Sequence, residues 1–211
     1  MDTSAEALII FVKNNEPGKV KTRLAKTLGE SRALEVHREL QHQTEQAVRF
    51  LTSDKMVYYS DYVPEENPLW PQERYHHFVQ EGTGLGERMS NAFEELFDKG
   101  YEKVCIIGSD CPYITQDILE NAFNRLLETD VVIGPSRDGG YYLLGLVEPR
   151  EELFEDINWG GSQVFDKTIQ KLISQDMIWY ELPILEDVDT EDDLDRYRLY
   201  TRQQELRSVS E

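Results

Sequence analysis

The chain reads as one α/β domain over residues 1–211, a three-layer α/β/α sandwich on a mixed, mainly parallel sheet. Three observations predict this. Short apolar runs alternate with longer amphipathic segments from end to end, the pattern of strand–helix repeats. The run 103–108 (Lys-Val-Cys-Ile-Ile-Gly) is almost wholly apolar, as in a strand covered on both faces at the centre of a parallel sheet. The connection 135–140 is too short for a parallel crossover, so the strands it joins can run antiparallel.

The elements follow in order. Residues 7–12 (Ala-Leu-Ile-Ile-Phe-Val) are the first strand, and 13–26 a basic loop. Residues 30–51 place Ala33, Val36, Leu40, Ala47 and Leu51 at helical spacing, and Thr27-x-x-Glu30 resembles a capping box. Strands are expected at 55–60 and 75–80, separated by a loop holding Pro64 and Pro68. The turn Gly82-x-Gly84-x-Gly86 opens a helix over 87–99. After the central strand, Thr115 caps a helix at 115–128. Strands at 130–134 and 141–147, a helix at 162–174, a strand at 176–182 and a helix at 190–204 complete the pattern. The polar tail beyond about residue 200 is expected to fray.

Composition narrows the function classes. A net charge of −19 argues against nucleic-acid binding, which needs an extended basic face. No apolar run reaches the roughly 18 residues of a membrane span. The first residues lack a signal-peptide pattern, so a cytoplasmic location is expected. Two cysteines make neither a disulfide framework nor a zinc site. Cys105 reads as core, and Cys111 has no neighbouring base to activate it. The sequence carries no signal for oligomeric state.

Charge is distributed unevenly. Lys13, Lys19, Lys21, Arg23 and Lys26 with the single acid Glu16 give residues 13–26 a charge of +4, leaving −23 for everything else. A basic, Gly18-containing turn after the first strand points to a phosphorylated or nucleotide ligand, since α/β proteins hold phosphate at such turns. Arg23 can clamp phosphate oxygens bidentately while the lysines act as point charges. A solvated loop is the plain alternative.

Carboxylates stand where the sheet would end. Gly108-Ser109-Asp110-Cys111-Pro112 follows the central strand, and Asp110 there suits a divalent cation or, alternatively, a turn cap. Glu186-Asp187-Val188-Asp189-Thr190 follows the last strand. Asp189 is read as a metal ligand, and Asp187 as a helix cap, because alternate residues of an extended chain point opposite ways. Thr190-x-x-Asp193 opens the last helix. The amides at Gly82 and Gly84 could face a phosphate, base or sugar. Asp138 could bind sugar hydroxyls or act as a base, or simply make a turn with Gly139 and Gly140. Trp159, ahead of Gly160-Gly161-Ser162, could rim an acceptor site or belong to the core. The four histidines, His37, His42, His76 and His77, are read as structural.

Together, Lys13-x-x-x-Pro17-Gly18-Lys19-Val20-Lys21-Thr22-Arg23-Leu24, Gly108-Ser109-Asp110-Cys111-Pro112, Gly134-Pro135-x-x-Asp138-Gly139-Gly140-Tyr141-Tyr142 and Asp187-Val188-Asp189-Thr190-x-x-Asp193 resemble a bacterial GT-A-like family of glycosyltransferase type. That family is similar to the phospholactate and molybdenum-cofactor guanylyltransferases. The resemblance implies a nucleotide-diphospho-sugar transferase fold. It implies a nucleotide or nucleotide sugar on Lys13, Gly18, Lys19, Lys21, Arg23, Gly82, Gly84, Ser109 and Asp110, and Mg²⁺ or Mn²⁺ on Asp110 and Asp189. Lys21, Arg23 and Asp138 would serve the chemistry, and Gly139, Gly140, Tyr141 and Trp159 would face a small-molecule acceptor. Glycosyl transfer from a nucleotide sugar is the first activity this implies. Nucleotidyl transfer to a phosphorylated small molecule, with pyrophosphate released, is the second, and a non-catalytic nucleotide-binding module the third. The letters Asp-x-Asp occur at Asp187–Asp189 and not after the central strand, where glycosyltransferases of this fold often carry them.

Overall fold

The computed structural model describes residues 5–208. Seven strands form one sheet in the order β3-β2-β1-β4-β6-β5-β7. They are β1 (Glu6–Val12), β2 (Asp54–Tyr59), β3 (His76–Val79), β4 (Lys103–Gly108), β5 (Val131–Pro135), β6 (Tyr141–Leu146) and β7 (Trp179–Glu181). The pairs β1–β2, β1–β4, β2–β3 and β5–β7 are parallel, while β6 runs antiparallel between β4 and β5. The five-residue link 136–140 thus makes the hairpin that the short connection predicts. The helices are α1 (Thr22–Leu28), α2 (Glu30–Val48), α3 (Leu85–Asp98), α4 (Gln116–Arg125), α5 (Val164–Ser174) and α6 (Glu191–Ser208).

Alternation along β1 divides the core. Leu8, Ile10 and Val12 face a cluster built with α2 and α4, through Val48, Leu51, Leu119 and Phe123. Ala7 and Ile9 face the other layer, with Met89, Phe93 and Leu96 of α3 and Leu172 of α5. The β4 residues Val104 to Ile107 are at most 4 % exposed, as expected of a strand covered on both sides. Cys105 is fully buried there, and Cys111 is also buried. A third, smaller cluster joins Leu24 of α1, Val36 and Leu40 of α2, and Leu194 and Tyr197 of α6 around a fully buried Val188.

Two local expectations are corrected, and the structural reading of His37 is made specific. Residues 22–28 are helical, so the basic loop ends at Lys21. Thr27 does not cap α2. Its hydroxyl donates to the Leu24 carbonyl inside α1, and Gly29, at φ +82°, closes α1 and opens α2. His37 is buried, with Nε2 3.2 Å from the Lys13 carbonyl and 3.0 Å from the Gln41 amide. The Thr115 cap forms as read, accepting from the Ile118 amide. The last helix continues to Ser208, and residues 209–211 of the expected frayed tail lie outside the described residues.

Candidate active site

The carboxyl ends of β1, β4 and β5 lie along one edge, where open α/β sheets bind their ligands. Three segments meet there. The loop after β1 delivers Lys21, whose backbone sits in the left-handed region at φ 46°, ψ 47° immediately before α1. Such a conformation costs a non-glycine residue roughly 1–3 kcal/mol and persists only where surroundings hold it. What holds it is visible: the Lys21 side chain is 3 % exposed, with Nζ 2.7 Å from Asp110 Oδ1 and 3.1 Å from Asp189 Oδ1. Arg23 stands farther out, 69 % exposed, with Nη1 3.9 Å from Asp189 Oδ2.

The two acidic segments are tied to each other. The Val188 amide donates to the Asp110 carbonyl at 3.0 Å, and the Val188 side chain anchors in the third cluster. The two neighbours of Val188 meet different surroundings. Asp189 turns to Lys21, and Asp187 lines the cleft. Upstream, Leu185 extends the parallel register beside β5, with Arg137 N donating to Leu185 O at 3.0 Å. This leaves Ser136 Oγ a long 3.5 Å from Asp187 Oδ2.

The α6 cap is not Asp187. The Asp193 amide donates to Thr190 Oγ1, while Asp193 Oδ2 accepts from the Thr190 and Asp189 amides. The cap reading of Asp187 is therefore corrected, and its carboxyl is free to face the cleft. Alternation separated the two aspartates in the sequence but could not say which partner each meets, because the partner of Asp189 is 168 residues away.

Beside this constellation is a cleft of about 230 Å³. Asp138 and Asp187 supply its acids, and Phe11, Met89, Tyr141 and Trp159 most of its apolar wall. Gly108, Gly140 and Leu85 also line it, and no lysine or arginine does. Asp138 Oδ1 accepts from the Gly140 amide, so this residue both makes the turn and borders the cleft. Trp159 meets Tyr141 edge-on at 6.2 Å and is locked from behind by Gly86, where a Cβ would come within 2.2 Å of its Nε1. Gly139, at φ +89°, lies against the Ser162 carbonyl and so fixes the turn to the approach of α5.

The remaining sequence candidates are spread out. Lys19 pairs with Glu16 at 2.6 Å at the surface, and Lys13 lines a different groove. Gly18, at φ +76°, backs onto Glu30. Gly82 and Gly84 do not line the cleft, and the Thr83 amide between them is taken by Glu87. Ser109 is buried beside Asp110.

Protonation follows from this packing. Burial pulls the Lys21 ammonium down, but the Asp110 and Asp189 carboxylates outweigh it and raise it above the ordinary lysine value. Burial pushes Asp110 up, but Lys21 more than reverses this and holds it low. Asp187 has no such partner, and burial, then Asp110 and Asp138, push it up to about 7. Among the described residues no three His, Cys, Asp or Glu side chains form a ready-made metal cage. The hard oxygens of Asp110 and Asp187 nonetheless suit Mg²⁺ or Mn²⁺, which bind through one or two carboxylates completed by substrate phosphates and water.

Residues 33–161 match the model of a family described as an uncharacterized protein conserved in bacteria, DUF2064. The chain belongs to this family. A Desulfovibrio desulfuricans G20 crystal structure, whose name places it among the nucleotide-diphospho-sugar transferases, is 35 % identical to this DUF2064 chain. The alignment covers 91 % of this chain and 85 % of that one, with a TM-score of 0.84. A 2-phospho-L-lactate guanylyltransferase from a Methanocaldococcus species is 40 % identical over 63 residues, 30 % of this chain and only 26 % of that protein. A Mycobacterium tuberculosis protein, Rv0371C, solved with manganese, shares the fold at a TM-score of 0.53 and 14 % identity, over 90 % of this chain and 96 % of that one. The DUF2064 chain thus has the nucleotide-diphospho-sugar transferase fold expected from its motifs. None of its described helices is long and apolar enough to cross a membrane.

Proposed function

We propose that this protein is a metal-dependent transferase that takes a nucleotide-sugar donor and passes the glycosyl group to a hydroxyl-bearing acceptor. The observation that carries the reading is the pairing of one buried cation with two carboxylates from segments remote in sequence, next to a cleft with acids and aromatics but no basic side chain. Carboxylates that accept from hydroxyls, beside aromatic faces that pack against C–H surface, suit an uncharged polyhydroxylated group.

In this reading Lys21 and Arg23 bind the diphosphate, Lys21 as a buried point charge and Arg23 as an exposed fork. Asp110 and Asp187 would supply the oxygen ligands for Mg²⁺ or Mn²⁺, which would neutralise charge on the departing diphosphate, while Asp189 holds Lys21. Asp138 stands at the rim of the cleft, where it accepts the proton of the attacking hydroxyl. Tyr141, Trp159, Gly139 and Gly140 shape the acceptor side. The metal-linked fold relative, Rv0371C, supports divalent-cation use.

A second reading, nucleotidyl transfer to a phosphorylated acceptor with release of pyrophosphate, is favoured by the segment shared with the guanylyltransferase. One assay separates them. The protein is incubated with Mg²⁺ or Mn²⁺ and panels of nucleotide sugars, nucleoside triphosphates and acceptors. Nucleoside diphosphate from a sugar donor supports glycosyl transfer. Pyrophosphate from a triphosphate in the presence of a phosphorylated acceptor replaces it with the second reading. In the same assay Asp110→Asn is expected to abolish metal-dependent nucleotide binding while leaving the circular-dichroism spectrum unchanged. Undiminished affinity removes Asp110 from the site.

A further inference from the structure

A second groove, of about 510 Å³, opens on the other side of the loop that follows β1. It belongs to the opposite face of the sheet from the cleft. Its apolar members Tyr59 and Leu69 pack with the α2–α4 cluster, whereas the cleft's Phe11, Tyr141 and Trp159 pack with the α3–α5 cluster. The groove runs between α2 and the loop after β2.

One wall is basic. Lys13 leaves the end of β1, and Arg38 and His42 project from successive turns of α2. Neither Lys13 nor Arg38 forms an ion pair among the described residues, in a chain where acids outnumber Lys and Arg 41 to 22. Two cations lining one groove, neither within ion-pair distance of a carboxylate, are a charge arrangement that attracts an anion, and the charge of Lys13 also acts on Asp110. The facing wall is apolar and partly aromatic, with Tyr62 49 % exposed beside Pro64, Pro68 and Leu69; Glu66 is the one acid among the lining residues, and Glu16 bonds the Tyr62 hydroxyl from outside.

The floor is rigid. Asn14 is 4 % exposed and its Oδ1 accepts from the Ser60 hydroxyl and the Asp61 amide. Gln41 is 2 % exposed and donates to the Lys13 carbonyl. The groove is thus held open by satisfied buried amides, not by side chains that could fold into it.

We infer that this groove is a second ligand site, separate from the cleft, that binds a small organic anion: a phosphate or carboxylate held by Lys13 and Arg38, on a planar or apolar body laid against Tyr62 and Leu69. A cationic wall opposite an aromatic one selects a molecule with both features over either alone. The inference does not depend on which transfer reaction the cleft performs.

The test uses the full chain, ¹⁵N-labelled, with EDTA present so that metal-dependent binding in the cleft is silent. Phenyl phosphate and benzoate probe the two anions, inorganic phosphate the charge alone, and phenol the ring alone. Saturable shifts at Asn15, Arg38, Tyr62 and Asn67 are expected with phenyl phosphate or benzoate, whichever carries the preferred anion. Inorganic phosphate should bind more weakly and phenol not at all. Arg38 is exposed on α2, so Arg38→Glu should fold and weaken binding about tenfold or more. Arg38→Gln, which removes only the charge, should weaken it in the same direction. Shifts confined to Gly108, Tyr141 and their neighbours, equal binding by phenol, unchanged affinity in both Arg38 variants, or no saturable shift with any probe would each overturn the inference.

Discussion

Lys21 concentrates the chemistry of the site in one side chain. Its ammonium lies between Asp110 and Asp189 and offsets the repulsion between them. Lys21→Met should therefore leave two carboxylates facing each other. Because each is about 40 % exposed, water absorbs much of the penalty, and the expected loss is about 1–3 kcal/mol in urea unfolding. Added Mn²⁺ should restore part of that loss; a variant as stable as the parent without metal would show that Lys21 is not the counter-ion. Asp187 gives a pH signature. Its folded value of about 7 stands above the ordinary carboxylate, so between about pH 4 and 7 the native state retains a proton that the unfolded chain has released. Its contribution to stability is therefore complete in acid and lost as pH rises through 7. In metal-free protein, Asp187→Asn should raise Tm relative to the parent by more at pH 8 than at pH 5. A pH-independent difference would mean that Asp187 ionises normally.

Elements explain what was readable in the sequence and what was not. The strands were read to within two or three residues, and most sharply at β1, β2, β4, β5 and β6, since a strand buried on both faces has little composition open to it other than an apolar run. Helix α1 was hidden, because seven residues with two basic side chains and the single fully buried Leu24 show no amphipathic period. Asp110 was legible because it directly follows the most apolar strand. The division of labour between Asp187 and Asp189 was not, since it is set by the anchoring of Val188 and by a lysine at the far end of the chain. Nor did spacing show that Gly86 belongs to packing: its missing side chain is filled by Trp159. On α3 an alanine should gain up to about 1 kcal/mol of helix propensity. Here its Cβ would also stand 2.9 Å from the Phe154 carbonyl, a backbone atom that cannot rotate away. Overpacking should win, so Gly86→Ala is expected to lower stability by about 1–3 kcal/mol and weaken ligand binding in the cleft through the displaced Trp159. Thermal unfolding and a nucleotide titration check both effects.

At the scale of the molecule, charge sets a background against which the site must work. A net −19 opposes compaction by self-repulsion and opposes approach of any polyanionic ligand. The ion pairs that salt would weaken are largely surface pairs such as Lys19–Glu16 and Arg32–Glu35, each worth little. Raising NaCl from about 10 to about 150 mM shortens the screening length from about 30 to about 8 Å. Long-range repulsion should fade more than local attraction, and Tm should rise, by about 2–4 °C for each kcal/mol gained in a chain of this size. A fall in Tm would mean that local pairs dominate. Magnesium then separates the global field from the site. At matched ionic strength MgCl₂ should stabilise beyond NaCl, because an ion bound only by the native state adds RT ln(1 + [L]/Kd). Asp110→Asn should keep the NaCl response, since one charge in nineteen hardly alters the field, and lose the excess due to magnesium. If the excess persists in that variant, the divalent ion is acting on the diffuse acidic surface and not at the edge of the sheet.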